Sequence, residues 1–526
     1  MTLLTPKGNS RGIARPYICS QPISYLGGFV SLLSRNRDIE HWDAEDVAAW
    51  DAGNKNIAKR NLIWSIFAEH VGFSVWSIWS VMVLFMPQAV YGIDALGKFV
   101  LGAVPIAVGS FMRIPYTIGP ARFGGRNFTI FSALMLAIPC GLTMYFMMHP
   151  GTSYTTFLIV AAVAGFGGGN FASSMTNINA FYPQRLKGWA LGLNAGGGNI
   201  GVPVIQIIGL VTIATLGNRR PEVVCAIYLV LLAAAALGAA LFMDNIQGQK
   251  SNLSAMVEAM KFRNSWVMCF LYIGTFGSFI GFSFAFTQIL NINFTAQDVA
   301  PLLEKYHVAS VAKLPKEAAK ELAKANFDAS IHTAWIAFLG PLLGSISRPF
   351  GGKLADKIGG GKITLYVFTA MTAITAVLVS AGMWDDATKG PATGAQMAVY
   401  ITAFMVLFIL TGLGNGSTYK MIPSIFEAKA QSKDELGAAE KTLWSRSMSG
   451  ALIGFAGAVG AFGGVLVNIV LRASYAGPAH SATTAFWVFL AFYVVCGVVT
   501  WFVFLRQPHL RAATGEHVGR DFVPAT

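Results

Sequence analysis

Twelve long apolar runs follow one another along the 526 residues, separated by short polar breaks. They lie at roughly 62–87, 97–119, 128–148, 155–181, 188–215, 222–243, 266–290, 331–352, 363–383, 396–419, 447–472 and 484–505. Each is close to the ~20 residues needed to cross a hydrocarbon core of about 30 Å. Backbone N–H and C=O groups find no partners in lipid, so each run is predicted to be a helix that satisfies its own backbone. The pattern predicts an all-α membrane protein with 12 transmembrane helices. Residues 1–61 are mostly polar and lack an apolar core with a cleavage site, so they read as an extension and not as a signal peptide.

Charge in the short loops sets the orientation. Arg122 and Arg126 follow the second run, Arg185 and Lys187 the fourth, and Lys353, Lys357 and Lys362 the eighth. The loops after the third and eleventh runs hold almost none, Arg472 apart, while Arg219 and Arg220 break the trend after the fifth. This bias predicts a multi-pass protein of the cytoplasmic membrane with both termini in the cytoplasm. Residues 291–330 form a long extracytoplasmic insertion, charged and Ala-rich in its second part, that reads as a surface helix outside the membrane.

Composition removes several function classes. The chain is 54% hydrophobic and 12% charged, about half the charge of a soluble domain. The net charge of +13 comes from residues that punctuate apolar runs, which is an orientation signal and does not predict nucleic-acid binding. Cys19, Cys140, Cys225, Cys269 and Cys496 form no CxxC or CxH pair, so neither a disulfide frame nor a metal site is expected. No nucleophile–base pair or phosphate loop stands out. No catalytic residue, enzyme activity or cofactor is therefore predicted.

The chain repeats itself. Aligned without a gap, GSFMRIPYTIGPARFGGRNFT (109–129) and GSISRPFGGKLADKIGGGKIT (344–364) pair Gly109 with Gly344, Ser110 with Ser345, Arg113 with Arg348 and Gly124 with Gly359. Two runs later in each half, Gly167, Gly169 and Asn170 correspond to Gly412, Gly414 and Asn415. A Gly-rich pair sets Gly188, Gly192, Gly198 and Gly201 against Gly450, Gly454, Gly460 and Gly463, where close helix packing is expected. The repeat divides the chain into a cytoplasmic extension (1–61), a six-helix bundle (62–243), a cytoplasmic linker (244–265), a second six-helix bundle (266–505) and a cytoplasmic tail (506–526). Two pseudo-symmetric bundles about an axis along the membrane normal are the major facilitator architecture, whose substrate site lies between the halves.

Arg113 and Arg348 are the principal anomaly. Each is predicted about six to nine residues inside its span, roughly 9–13 Å deep. A charge at that depth costs at least about 2.5–3.5 kcal/mol on insertion scales, and two facing cations repel. An anion between them relieves both costs. A planar guanidinium fork matches a planar oxyanion and stays charged at any working pH, so a small flat monoanion fits. Snorkelling or pairing with an acid is the alternative. Glu69 and His70 lie at similar depth in the first run. Either carries a coupling proton, or Glu69 neutralises one arginine. Asn170, Asn177, Asn179, Asn194 and Asn199 are dense for membrane helices and read either as packing or as donors to an anion. Tyr272 and Phe276 stand at i, i+4 and share a face.

GFGGGNFASSMTNINAFYP, followed by GWALGLNAGGGNIG and GFAGAVGAFGG, resembles the signature helices of the nitrate/nitrite porter (NarK-type) family of the major facilitator superfamily. RIPYT, LYIGTFGSFIGF and FLGPLLGSISRPFGGKLADKIGG match as well, and the resemblance runs from about Asn61 to Trp501. It implies that Arg113 and Arg348 bind nitrate or nitrite, that Phe171, Tyr272 and Phe276 sandwich the anion, and that Asn199 lies near it. GGKLADKIGG is similar to the superfamily's gating loop, in which Asp356 latches helix ends; its first-half copy, GPARFGGR, lacks that acid. EHVGFSVW is similar to the proton-symport subtype. The partners implied are nitrate or nitrite, protons and the lipid bilayer, with one chain as the working unit. Nitrate/nitrite exchange, carriage of another small anion and non-transporting anion sensing are the alternatives.

Overall fold

The computed structural model describes residues 37–248, 253–388 and 390–506. Residues 1–36 of the extension, 249–252 of the linker and 507–526 of the tail lie outside the described residues. Among the described residues twelve helical spans are long and apolar enough to cross a membrane. They are α1 Val47–Phe85, α2 Ala95–Phe123, α3 Gly125–Met147, α4 Tyr154–Phe181, α5 Arg185–Leu216, α6 Glu222–Phe242, α7 Arg263–Lys305, α8 Lys316–Ile358, α9 Gly360–Thr388, α10 Gly394–Gln431, α11 Glu440–Ala476 and α12 Thr483–Leu505. They form two six-helix bundles, which meet where α2 packs along α11, α5 along α8, and α7 against α2.

The repeat is visible in the backbone. Gly124 turns α2 into α3 at φ +85°, and Gly359, its aligned counterpart, turns α8 into α9 at φ +101°. A side chain at either position would strain this left-handed geometry.

Two regions differ from the sequence reading. The first helix starts at Val47 and so takes in part of the polar extension. Residues 291–330 contain no separate surface helix. Instead α7 runs on to Lys305 and α8 begins at Lys316, so the insertion consists of two helix ends and a short bridge. The Ala-rich sequence after 318 is a strong helix former that continues into the apolar run. Val299 and Leu302 on one extension, and Ala325 and Ala329 on the other, are buried. Lys305 Nζ pairs with Glu321 at 2.7 Å, and His332 Nδ1 contacts Asp298 at 3.0 Å. Ser330 Oγ donates to the Leu84 carbonyl at 3.2 Å, tying α8 to α1.

At the opposite end, Asp38–Ile39 (β1) pairs in parallel with Asn245–Ile246 (β2). Beside this ribbon the buried Asp244 gathers three partners. Arg60 lies at 2.6 Å, Arg37 at 3.5 Å, and Asn61 Nδ2 donates at 2.8 Å. Asn245 Oδ1 accepts from the Asn127 amide at 3.3 Å, and Arg126 donates to the Ala240 carbonyl at 2.9 Å. The first bundle's helix ends are thus held by Asp244 and Asn245. In the second bundle Asp356 meets Lys420 of α10 at 2.8 Å, with both side chains half exposed.

Candidate anion site

Arg113 and Arg348 converge from opposite bundles. Their helices end ten residues beyond each of them, at Phe123 and Ile358, so both sit about 15 Å of helix rise from those ends. Arg113 is 1% exposed and Arg348 7%. The Arg113 guanidinium carbon stands 4.7 Å from the Phe171 ring, 5.0 Å from Phe276 and 5.7 Å from Trp76. That of Arg348 stands 5.3 Å from the Tyr419 ring and 5.9 Å from the same Phe276. Phe276 therefore serves both cations, and its ring is stacked on Tyr272 at 5.1 Å and 12°. The Tyr272 hydroxyl accepts from Arg348 Nη2 at 3.3 Å.

Local backbone explains the crowding. A π-helical turn, Ile273–Gly277, interrupts α7 directly after Tyr272 and carries Phe276; such bulges recur at functional sites. On α11 two glycines make room. Gly457 gives its carbonyl to Arg113 Nη1 at 3.1 Å, and a Cβ there would lie 3.0 Å from that nitrogen. A Cβ on Gly460 would lie 2.5 Å from Tyr272 Cδ1.

The donors are incompletely used. Among the described residues, Arg113 Nε and Nη2 and Arg348 Nη1 are buried without a hydrogen-bond partner. Leaving a charged donor unpaired costs more than a neutral one, so these three nitrogens mark where an acceptor belongs. An oxyanion supplies acceptors and negative charge together.

Glu69 stands apart from this pair. It is 1% exposed and forms no ion pair with either arginine. Asn194 Nδ2 donates to its Oε2 at 2.7 Å and to Ser174 Oγ at 2.5 Å, while Oε1 has no hydrogen-bond partner among the described residues. Both arginines act on its carboxyl through space. His70, half-buried, meets the Gly197 carbonyl through Nδ1 at 3.2 Å. A side chain on Gly198 would collide with Glu69, and one on Gly201 with the His70 carbonyl. Asn199 is buried with Oδ1 unpartnered.

The remaining signature positions divide. Gly167 and Gly169 press on α1 and on Tyr116, Gly412 on Ser347, Gly414 on Thr275 and Gly463 on Ile273. Asn170 accepts from Ser132 Oγ, a bond between helices, and Asn415 is buried with Oδ1 unpartnered. Gly188 and Gly192 are exposed, and nothing lies within 4 Å of a Cβ built on either. Close packing does not demand glycine there, contrary to expectation. Gly454 makes only ordinary contact, 3.5 Å to Thr117. Trp76, Tyr419 and Gly457 join the site through the fold. Gly457 had a signal, since it stands three residues from both Gly454 and Gly460. Tyr419 had none.

The sequence matches the Major Facilitator Superfamily over residues 116–439. It is 32% identical over 487 residues to the nitrate/nitrite transporter NarU of Salmonella typhimurium, covering 89% of this chain and 96% of NarU. The chain belongs to the NarK-type nitrate/nitrite porter family of that superfamily. A second porter of similar length, the probable nitrate/nitrite antiporter NarK2 of Thermus thermophilus, is 29% identical over 491 residues, 89% of this chain and 97% of NarK2. Among solved structures, a D-xylose-proton symporter matches 87% of this chain and 99% of its own with a TM-score of 0.54 at 13% identity. The nucleoside transporter NupG gives 0.53 at 12%, over 86% of this chain and 100% of its own. These distant likenesses are of fold alone. As a family member the chain is a multi-pass membrane transporter and not an enzyme.

Proposed function

We propose that this porter imports nitrate across the cytoplasmic membrane, binding it between Arg113 and Arg348. The observation that carries the proposal is the pair of buried guanidiniums about one Phe276 ring, with three nitrogens unpartnered. Nitrate is a flat monoanion whose oxygens suit two guanidinium forks. Phe171, Tyr272 and Phe276 wall the site and limit its size, which disfavours bulkier anions. The relative NarU bears the name nitrate/nitrite transporter. One chain with both termini in the cytoplasm is the working unit.

The coupling we favour is nitrate/proton symport. Without an anion the two arginines repel, which opposes reorientation of the unloaded carrier and by itself favours exchange; symport rests instead on Glu69 and His70. Glu69, buried with Oε1 unpartnered among the described residues, would take the accompanying proton, with His70 beside it in the chain. The second reading is nitrate/nitrite exchange, favoured by the name of the relative NarK2. The deciding experiment is nitrate uptake into proteoliposomes under an imposed inward proton gradient, with empty and nitrite-loaded vesicles. Gradient-dependent uptake into empty vesicles establishes symport. Uptake only into nitrite-loaded vesicles, indifferent to the gradient, establishes exchange. Displacement of labelled nitrate by equal formate or phosphate overturns the nitrate assignment itself.

A further inference from the structure

The seam between the bundles holds a second polar locus, remote from the arginines. Ser80 of α1 and Gln206 of α5 line a cavity of about 10 Å³ together with Thr287 of α7 and Ala334 and Ala337 of α8. Its walls therefore come from both halves of the chain, and Ser80, Gln206 and Thr287 are all buried. Gln206 joins the halves. Its Nε2 donates to the Ser283 carbonyl of α7 at 3.0 Å and, within its own bundle, to Ser80 Oγ at 3.2 Å. Among the described residues, Gln206 Oε1 and Thr287 Oγ1 are buried without a hydrogen-bond partner.

Both helices of the second bundle put this cavity at one depth. Thr287 lies eleven residues beyond Phe276 on α7, and Ala337 lies eleven residues before Arg348 on α8. Each interval is about 16 Å of helix rise. The direction is away from the Ile358 end of α8, which the proposed orientation makes the extracytoplasmic side. About one turn further out on α8, Ser330 Oγ donates to the Leu84 carbonyl of α1 at 3.2 Å, and Leu84 lines the cavity too. On this side two hydrogen bonds, from Gln206 and from Ser330, thus tie one bundle to the other.

We propose that Gln206 is the outer gate of the porter and that the cavity beside it binds one water, shared by Gln206 Oε1 and Thr287 Oγ1. An amide in a membrane helix bonds across helices because lipid offers it no partner. Alternating access rocks one bundle against the other, so a bond between bundles on the outer side is made when that side closes and broken when it opens. A water needs roughly 10–15 Å³ and two or more polar partners, and this cavity supplies both. In the closed gate the water satisfies the two free oxygens; in the open gate solvent does. Opening therefore works against the bonds between the bundles and not against the desolvation of stranded polar groups. The inference holds whichever anion is carried and rests on the proposed orientation alone.

The test uses the full chain in right-side-out vesicles, with a cysteine placed in the cavity wall by Ala337→Cys. The rate of its labelling by a membrane-impermeant maleimide reads the outer-open population. Cys140, Cys225, Cys269 and Cys496 are buried, and the chain without the added cysteine is the blank. Gln206→Leu keeps the volume and removes the bond to Ser283; labelling is expected to quicken about two- to tenfold. Ser80→Ala removes only a partner within one bundle and is expected to label at the parental rate. Gln206→Met takes the place of Gln206→Leu if the latter does not reach the membrane. Parental labelling in the Gln206 variant overturns the gate, as does equal acceleration in Ser80→Ala, which would mean general loosening. Label that enters only from the cytoplasmic face overturns the outer placement. An experimental structure that resolves ordered waters reads the rest: a water bonded to both oxygens is expected, and a dry cavity overturns the water site.

Discussion

The guanidinium of Arg113, on α2, donates to the carbonyl of Gly457, on α11, at 3.1 Å. This bond crosses from one bundle to the other and uses one of the three guanidinium nitrogens. It holds the side chain in place while Nε and Nη2 stay free for an anion. The bundles are therefore joined at the site where the substrate is expected, and opening the seam must break this contact.

Replacing either arginine by lysine keeps the charge and removes the planar fork. Arg113→Lys and Arg348→Lys are each expected to weaken nitrate binding at least tenfold, since each lost charge-assisted hydrogen bond contributes about 1.5–3 kcal/mol. Calorimetry on the purified variants measures this. Lysine variants with parental affinity would remove the fork from the argument and leave only charge.

Gly460→Ala is expected to fold and to bind nitrate poorly. Its Cβ would meet Tyr272 Cδ1 at 2.5 Å, and Tyr272 is held by its stack on Phe276. Overpacking of this kind costs about 1–3 kcal/mol. Gly192→Ala is the control, because open space surrounds that position. Equal nitrate affinity in the two variants would count against Tyr272 as part of the site.

Glu69→Gln conserves the shape of the side chain and the bond from Asn194. The expected outcome is nitrate binding close to the parent with uptake that no longer follows an imposed proton gradient. Full gradient dependence in the Gln variant removes Glu69 from coupling and directs attention to His70.

Asp244 and Asp356 are predicted to differ in their effect on stability. Asp244→Ala removes the carboxylate shared by Arg37, Arg60 and Asn61, and removing one partner of a buried ion pair costs about 3 kcal/mol or more. Asp356→Ala breaks a half-exposed pair with Lys420, which contributes about 1 kcal/mol at most. Thermal unfolding of the two variants should show a clear drop only for Asp244→Ala. Equal shifts would mean that the Asp244 cluster does not hold the helix ends.

Much of the architecture was legible in the chain because membrane physics is written locally. A run of apolar residues has to be a helix, and its length has to match the bilayer. At 291–330 that local logic is weaker, and the chain prolongs α7 and α8 where a separate surface helix is expected from sequence. Polar, Ala-rich sequence is an equally good helix former on either side of an interface, so only packing decided that it prolongs α7 and α8. The same limit applied to the glycines. Gly188 and Gly198 look alike in sequence, yet one faces open space and the other clears room for Glu69.

The sequence by itself determined the twelve spans, the internal repeat with its paired turns at Gly124 and Gly359, and the two arginines whose charge has no place in lipid. The tertiary structure alone decided which groups those arginines meet: Gly457, Tyr419, Trp76 and the shared ring of Phe276. It also decided that Glu69 bonds to Asn194 and not to either cation. The physical reason is that a helix apolar on all sides carries no amphipathic stripe to say which face turns inward. Its rotation is fixed only when close backbone approach and buried donors must be satisfied together across helices far apart in the chain.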